Sequence, residues 1–228
     1  MRGARYGRDV KTLGQAWAEF RAKRSPKLIL LGIAVTLAVR VAVGGALTWR
    51  DAVAAAAMLV IYPFGEWAIH VYLLHLKPFA FRGEQMELAT ARAHREHHEQ
   101  PNDLFMILLS PSEAVALMFL AVPLVPALAG AVIALAGGDV PYGALLTGML
   151  AGQLLVAIYE WTHFLIHTAY RPRSRYYRSI WRNHRLHHFK NEHYWHGITN
   201  TIGDRAMGTL RDQREVAKSE TARTLIEH

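Results

Sequence analysis

The chain has 228 residues, no cysteine and a formal net charge of +8, and 52% of its residues are hydrophobic. Without cysteine it can form neither disulfides nor thiolate-ligated iron–sulfur clusters. The hydrophobic residues fall into long runs, which excludes an ordinary water-soluble domain. The basic residues lie almost entirely outside these runs, as in the loops of membrane proteins, and give no reason to expect nucleic-acid binding.

The first 27 residues carry eight Lys or Arg and precede the first hydrophobic run. Within them Val10, Leu13, Trp17 and Phe20 recur at near-helical spacing. An apolar helix face among basic residues is typical of helices that lie in the plane of a membrane surface. We therefore predict a basic cytoplasmic or interfacial segment over residues 1–27 that is retained and not cleaved as a signal peptide.

Four hydrophobic runs follow, each close to or above the roughly 20 residues that a membrane-spanning helix needs. Arg40 is a charged residue inside the first run, and such residues tend to face protein or an interface. We predict an all-α integral membrane protein, a four-helix transmembrane bundle with a histidine-rich helical cap. The predicted spans are Leu28–Trp49, Ala52–Leu76, Glu113–Gly137 and Tyr142–Trp161.

The distribution of basic residues predicts the orientation of the spans. With four spans, both termini and the loop between spans two and three share one side, which holds 24 of the 26 Lys and Arg residues. Because basic loops face the cytoplasm, we predict that the termini and the cap are cytoplasmic. The predicted divisions are the basic segment 1–27, a membrane domain with its cap over 28–210, and a polar C-terminal tail over 211–228.

Ten of the thirteen histidines fall into four clusters, in or shortly after the second and fourth spans. H-x-x-H-H places rings at i, i+3 and i+4, and H-x-x-x-H at i and i+4, which are neighbours on a helix surface. A lone histidine is more often solvated or hydrogen-bonded than a ligand. Two such triplets, each preceded by a histidine pair at the end of an apolar helix, predict metal binding. The clusters are His70/His75, His94/His97/His98, His163/His167 and His184/His187/His188.

The clusters form a quasi-repeat along the chain. Glu66-Trp67 precedes the first pair and Glu160-Trp161 precedes the second, and a triplet follows each pair at similar distance. The repeat predicts two similar half-sites that share one cap.

The first histidine pair departs from helical spacing. Five residues at 100° each leave His70 and His75 about 140° apart around an α-helix. We therefore expect these two rings to straddle their helix and to reach toward two different ions.

The histidine series H-x4-H, H-x2-H-H, H-x3-H, H-x2-H-H on a small four-span chain resembles the fatty acid hydroxylase superfamily. This superfamily also contains sterol desaturases, carotenoid hydroxylases and alkylglycerol monooxygenase, and the chain is most similar to fatty acid 2-hydroxylases. The neighbouring residues carry the likeness further: 70–78 read HVYLLHLKP, 187–192 read HHFKNE, 197–200 read GITN and 203–205 read GDR. The resemblance covers about residues 60–210, and the spacings specify the superfamily better than the substrate.

The resemblance implies a membrane-bound oxidoreductase with a non-haem di-iron centre, in which zinc could substitute for iron. Such an enzyme uses O2 as co-substrate and hydroxylates an unactivated C–H bond of a lipid, here a fatty acyl chain near its carboxyl end. The implied ligands are His70, His75, His94, His97, His98, His163, His167, His184, His187 and His188.

Metal-ligating imidazoles are usually held in one tautomer by a hydrogen bond to the second ring nitrogen. Seven side chains near the clusters are candidates for this role or for contact with substrate. They are Glu66, Asp103, Glu160, Glu192, His193, His196 and Asp204. His228 is terminal and is not expected to take part.

Electrons are expected to come from a separate cytochrome b5-like protein, ferredoxin or reductase, because 27 residues before the first span are too few for a fused cytochrome b5 domain. Other readings stay open. A sterol, carotenoid or alkyl ether could be the substrate, or desaturation could replace hydroxylation. A non-redox membrane protein that binds zinc or another metal is the alternative from a different class. The oligomeric state is left open.

Overall fold

The computed structural model describes residues 4–226. The described chain is predominantly helical, with one short antiparallel hairpin in which Phe79–Phe81 (β1) pairs with Glu84–Met86 (β2). The α-helices are α1 (Leu13–Ala22), α2 (Arg24–Val43), α3 (Trp49–Ala68), α4 (Ala89–Glu99), α5 (Pro111–Ala116), α6 (Val122–Leu135), α7 (Tyr142–Ile166), α8 (Arg175–Phe189) and α9 (Ile202–Ala206).

Four helical stretches are long and apolar enough to cross a membrane, which confirms the predicted four-span, all-α membrane architecture. Two of them include a π-helical segment: Ile69–Leu74 continues α3, and Leu117–Ala121 joins α5 to α6. The boundaries differ from prediction by a few residues. The observed spans are Arg24–Val43, Trp49–Leu74, Pro111–Leu135 and Tyr142–Ile166.

The chain divides into two compact units. One comprises Arg21–Tyr62 and Leu109–Glu160, and the other the described residues of Met1–Phe20, Pro63–Leu108 and Trp161–His228. We call them the span unit and the cap unit. All ten clustered histidines belong to the cap unit.

The span unit is held together by apolar packing and by one buried ion pair. Ile29, Met118 and Val156 belong to its hydrophobic core. Arg40 is buried against protein, one of the two placements expected for it, and its guanidinium donates to Asp51 Oδ1 at 2.7 Å and to Thr147 Oγ1 at 2.9 Å. A charge in a membrane span is tolerated when protein groups replace its water in this way.

We expect Asp51→Ala to lower the unfolding temperature of the purified protein in detergent. Removal of the carboxylate leaves the Arg40 charge buried without its counter-ion, which costs more than loss of an exposed pair. Asp139→Ala, at an exposed aspartate between α6 and α7, is the matched control and should unfold like wild type. Equal unfolding temperatures for Asp51→Ala and wild type would contradict a stabilising role for the pair.

The predicted N-terminal helix is present as α1, which begins at Leu13 and so leaves out Val10. The predicted apolar residues have two different environments. Val10 and Phe20 are buried in the core of the cap unit with Leu104 and Phe164. Trp17, by contrast, is 50% exposed. Contact of this exposed face with a membrane surface stays a prediction.

The C-terminal residues pack into the cap unit although they form no helix after α9 in the described chain. Val216, Ala222 and Leu225 are buried there. The predicted boundaries at residues 27/28 and 210/211 stay a prediction, and His228 lies outside the described residues.

Candidate metal centre

The ten clustered histidines come from four helical elements of the cap unit. They lie at the end of the second span, on α4, at the end of α7 and on α8. Nine are buried, and His75 is partly exposed. The sequence therefore brings its imidazoles together by ending two apolar helices beside two polar, histidine-bearing ones.

The expectation that His70 and His75 reach toward different ions was wrong. Ile69–Leu74 is a π-helix, and the His75 N–H donates to the His70 carbonyl five residues earlier. Because i→i+5 bonding widens the turn, residues five apart come close to the same face. The two ring centroids lie 4.9 Å apart, and both rings could bind the same metal ion.

Two sets of five histidines could each hold a metal ion, because in each set one nitrogen per ring lies within 4.8 Å of all the others. A metal–imidazole bond of about 2.1 Å places opposed ligand nitrogens about 4.2 Å apart, so these sets are compact enough for a single ion. The first histidine group is His70, His75, His94, His98 and His187, and the second histidine group is His97, His163, His167, His184 and His188.

The two groups do not follow the two predicted half-sites. His97 joins the second group and His187 joins the first, so each triplet contributes its middle histidine to the opposite group. On a helix with 100° per residue, positions i and i+4 are about 40° apart, whereas i+3 and i+4 are about 100° apart. Each triplet therefore faces two directions, and α4 and α8 each serve both groups.

Ring nitrogens in the second histidine group lie within hydrogen-bonding distance of one another. Nε2 of His184 lies 2.9 Å from Nε2 of His167 and 3.0 Å from Nε2 of His188. A neutral ring carries one N–H, so Nε2 of His184 has either one proton or one lone pair to share with two neighbours. A cation bound by the lone pairs of all three nitrogens would satisfy them together.

Backbone carbonyls fix the orientation of several rings. Nδ1 of His70 lies 2.6 Å from the His196 carbonyl, Nδ1 of His98 lies 2.9 Å from the Ala222 carbonyl, and Nδ1 of His187 lies 2.8 Å from the Tyr194 carbonyl. An acceptor at Nδ1 places the proton there and leaves the Nε2 lone pair available.

Within residues 4–226, the Nε2 atoms of these same three rings are buried and have no hydrogen-bond partner. An unsatisfied polar atom in the interior is costly, and here each one points to ligation. These three rings all belong to the first histidine group, so this donor set fits a metal ion.

Burial also keeps the imidazoles of α4 and α8 in the neutral form that binds metals. Desolvation, followed by repulsion from neighbouring rings, lowers the pKa of His94, His97 and His184 well below the ordinary histidine value. Burial lowers the pKa of His98 to about 4. Neutral imidazoles prevail at physiological pH, so no proton has to leave before a metal binds.

Glu66 acts on a loop that touches the first histidine group. It accepts hydrogen bonds from the backbone N–H groups of Ile198 and Thr199 and from the side chain of Asn200. The same loop begins with His196, whose carbonyl oxygen lies within hydrogen-bonding distance of His70 Nδ1. Glu66 therefore supports His70 through the backbone of this loop.

The glycines of the GITN and GDR segments allow this loop to pack closely. A Cβ on Gly197 would lie 1.9 Å from the Asn200 carbonyl oxygen, and a Cβ on Gly203 would lie 2.6 Å from Trp67 Cβ. A larger residue at position 197 would disrupt the close approach within the loop, and a larger residue at position 203 would push the chain away from α3.

Asp204 holds the other side of the loop. It accepts from the backbone N–H groups of His196 at 2.9 Å and Gly197 at 2.7 Å, and from Thr209 Oγ1 at 2.6 Å. Burial disfavours its charged form, but these hydrogen bonds outweigh burial and keep the pKa of Asp204 below its usual value. The buried His196 ring lies 3.6 Å from this carboxylate and 5.2 Å, centroid to centroid, from His187.

The other candidates have contacts of a different kind. Asp103 accepts from the exposed Arg5 and from the Phe105 N–H. Glu192 is buried and accepts from Ser219 and Thr221, while His193 is largely exposed and lies 3.4 Å from Glu192.

Glu160 belongs to the span unit, where it accepts from Ser25 Oγ and from the Leu109 N–H, each at 2.9 Å. Glu160 therefore does not support a loop beside the histidines as Glu66 does, although each glutamate is followed by a tryptophan and a histidine pair in the sequence. The carbonyls of Tyr194 and Ala222 were missed by sequence reasoning, because every residue has a carbonyl and no sequence signal marks one.

We expect Glu66→Ala to weaken metal binding by about 10- to 100-fold, the usual cost of losing a group that supports a ligand. The loop of His196 would lose its attachment to α3, and the His70 ring would lose its fixed orientation. Chelator competition measures the affinity. Glu84→Ala, at an exposed glutamate of β2, is the control, and equal affinities for the two variants would contradict the role of Glu66.

Comparison with known proteins identifies relatives of this chain. A dihydroceramide fatty acyl 2-hydroxylase of Arabidopsis thaliana is 26% identical over 163 residues, which cover 71% of this chain and 64% of that protein. The fatty acid 2-hydroxylase of Homo sapiens is 25% identical over 159 residues, 68% of this chain and 38% of that protein. The chain thus spans less than two thirds of the length of either relative.

A solved structure titled "Full length scs7p (only hydroxylase domain visible)" shares the fold, with a TM-score of 0.62. The match has 19% sequence identity and covers 85% of this chain and 66% of that one. The family model described as fatty acid hydroxylase matches residues 55–209, a segment that contains all ten clustered histidines. The chain belongs to the fatty acid hydroxylase family.

Proposed function

We propose that this protein is an O2-dependent, non-haem di-iron hydroxylase of membrane lipids. The observation that carries the proposal is the pair of five-histidine groups, in which nine of the ten rings are buried. Two iron ions bound there would supply the chemistry that inserts one atom of O2 into a C–H bond and releases the other as water, with two electrons and two protons from a donor. The ten histidines would hold the ions.

A fatty acyl chain is the proposed substrate. A cavity of about 240 Å³ in the cap unit reaches His75, the most accessible member of the first histidine group. Trp67, Val71 and Leu225 line part of it, beside polar residues such as Lys77 and Glu192. The apolar part would bind a hydrocarbon chain. The names of the two relatives, both acyl 2-hydroxylases, favour attack near the carboxyl end.

The cap and both termini are proposed to face the cytoplasm. The support is the excess of Lys and Arg in the termini and in the loop between the second and third spans, which is the usual bias of cytoplasmic segments. In this orientation a lipid reaches the histidines from the membrane, and a separate water-soluble or membrane-attached electron donor reaches them from the cytoplasm.

Metal analysis and lipid mass spectrometry test the proposal together. We expect the purified protein to contain two irons per chain and to consume O2 when reduced. Cells that express it should accumulate fatty acyl lipids that are heavier by one oxygen atom. Zinc alone in a fully active preparation would defeat the redox proposal, and loss of two hydrogens would identify a desaturase. The same mass gain on a sterol, carotenoid or alkyl ether would replace the proposed substrate.

A further inference from the structure

The C-terminal residues 217–225 form a strap across the ends of the two helices that carry the histidine triplets. We call this segment the C-terminal strap. It lies beyond residues 55–209, the part of the chain that matches the family model. Ala222 and Leu225 are buried at 3% and 7% exposure, so the strap is packed into the cap unit despite its polar sequence.

At α4 the strap touches a histidine of the first group directly. The Ala222 carbonyl lies 2.9 Å from Nδ1 of His98. The next residue, Arg223, donates through Nε to the His98 carbonyl at 2.7 Å and through its guanidinium to the Glu99 carbonyl. These carbonyls belong to the last turn of α4, where no helical N–H remains to satisfy them and where a cation is favoured.

At α8 the strap is attached by its backbone and by two hydroxyls. The Ser219 N–H donates to the Lys190 carbonyl at 2.7 Å, at the C-terminal end of the helix. The Ser219 and Thr221 hydroxyls both donate to the buried Glu192 carboxylate. The strap therefore connects the ends of α4 and α8, whose histidines His98 and His188 stack with ring centroids 4.0 Å apart.

We propose that the C-terminal strap is a working part of the metal centre, in which the Ala222 carbonyl sets the tautomer of His98 and Arg223 is the positioning residue for that carbonyl. The inference rests on the proposed two-metal centre. With its proton held on Nδ1, His98 presents Nε2 to the first histidine group. Without the strap, the ring could rotate or change tautomer, and the first group would bind its ion less tightly, while the second group would keep all five ligands.

Metal release from full-length variants tests this role. Wild-type protein and Arg223→Ala are loaded with two cobalt ions, and the loss of each ion to excess chelator is followed by its visible absorption. We expect Arg223→Ala to release one ion about 10- to 100-fold faster than wild type and the other at the wild-type rate. General destabilisation would instead speed the release of both ions.

Two further variants, a conservative substitution and a surface control, test whether the guanidinium of Arg223 is what slows metal release. Arg223→Lys keeps a charge but not the two-pronged geometry of guanidinium, and we expect it to recover part of the lost retention. Arg214→Ala, at an exposed arginine that precedes the strap, should behave like wild type. Release of both ions at the wild-type rate from Arg223→Ala would overturn the proposal.

The double variant Ser219→Ala/Thr221→Ala tests the other attachment and decides the matter should Arg223→Ala fail to fold. It frees the strap from Glu192, and we expect faster release of the same single ion. Unchanged release would contradict the proposal. Cobalt binding needs neither O2 nor lipid, so a wild-type chain that binds two ions but hydroxylates nothing would overturn the proposed function and leave this inference standing.

Discussion

His98→Ala and His188→Ala are each expected to abolish hydroxylated lipid, with activity at least about 100-fold below wild type, because loss of a ligand should cost more than the 10- to 100-fold of a supporting group. His98 belongs to the first histidine group and His188 to the second. Each substitution removes one of five ring nitrogens and opens a cavity between stacked rings. Iron content and lipid mass spectra measure the effects.

His193→Ala is the matched control for these two variants. His193 is 67% exposed at its side chain and belongs to neither histidine group, so we expect its metal content to match wild type. Size-exclusion chromatography shows whether each variant stays folded. Normal lipid profiles in folded His98→Ala and His188→Ala protein would refute the ligand assignment.

The middle histidine of each triplet is expected to bind the same ion as the histidine pair of the other half of the sequence. His97→Ala should deplete the ion held with His163, although His97 lies in the first triplet. His187→Ala should deplete the ion held with His70. The reason is the 100° turn per residue, which directs i+3 away from i+4. Cobalt titration with visible spectroscopy of each site distinguishes the two ions.

Double variants make this assignment sharper. His97→Ala/His163→Ala removes two ligands from one group, so it should still retain the other ion, and the two effects should not add. His97→Ala/His70→Ala removes one ligand from each group and should weaken both ions. The reverse pattern, with His97 and His70 acting on one ion, would restore the half-sites predicted from the sequence.

The spans could be predicted from the sequence because a bilayer demands about 20 apolar residues in a row, a signal that needs no knowledge of neighbours. The predicted convergence of the ten histidines had a similarly local basis, since they follow the second and fourth spans or lie at their ends. The cost of an unpaired charge in lipid led to the expectation that Arg40 faces protein or an interface, but the sequence did not decide between them or identify its partners Asp51 and Thr147.

The grouping of the histidines could not be predicted in the same way. His70 and His75 share a group because the chain between them is a π-helix, and the α-helical angle used for the sequence gave the wrong answer. The prediction of two half-sites from the sequence repeat was wrong for a related reason. Sequence order assigns a histidine to its nearest neighbours along the chain, whereas the direction of each ring around α4 or α8 decides which group it joins.

By itself the sequence determined a four-span membrane protein with ten histidines gathered at the ends of two spans and on the segments that follow them, because hydrophobic length and helical spacing act locally. Only the tertiary structure decided which rings share a group and which atoms orient them. Those atoms include the backbone carbonyls of His196 and Ala222, which are supplied by residues more than 100 positions away along the chain. A carbonyl is common to every residue, so its role depends on where folding places it and not on which side chain it carries.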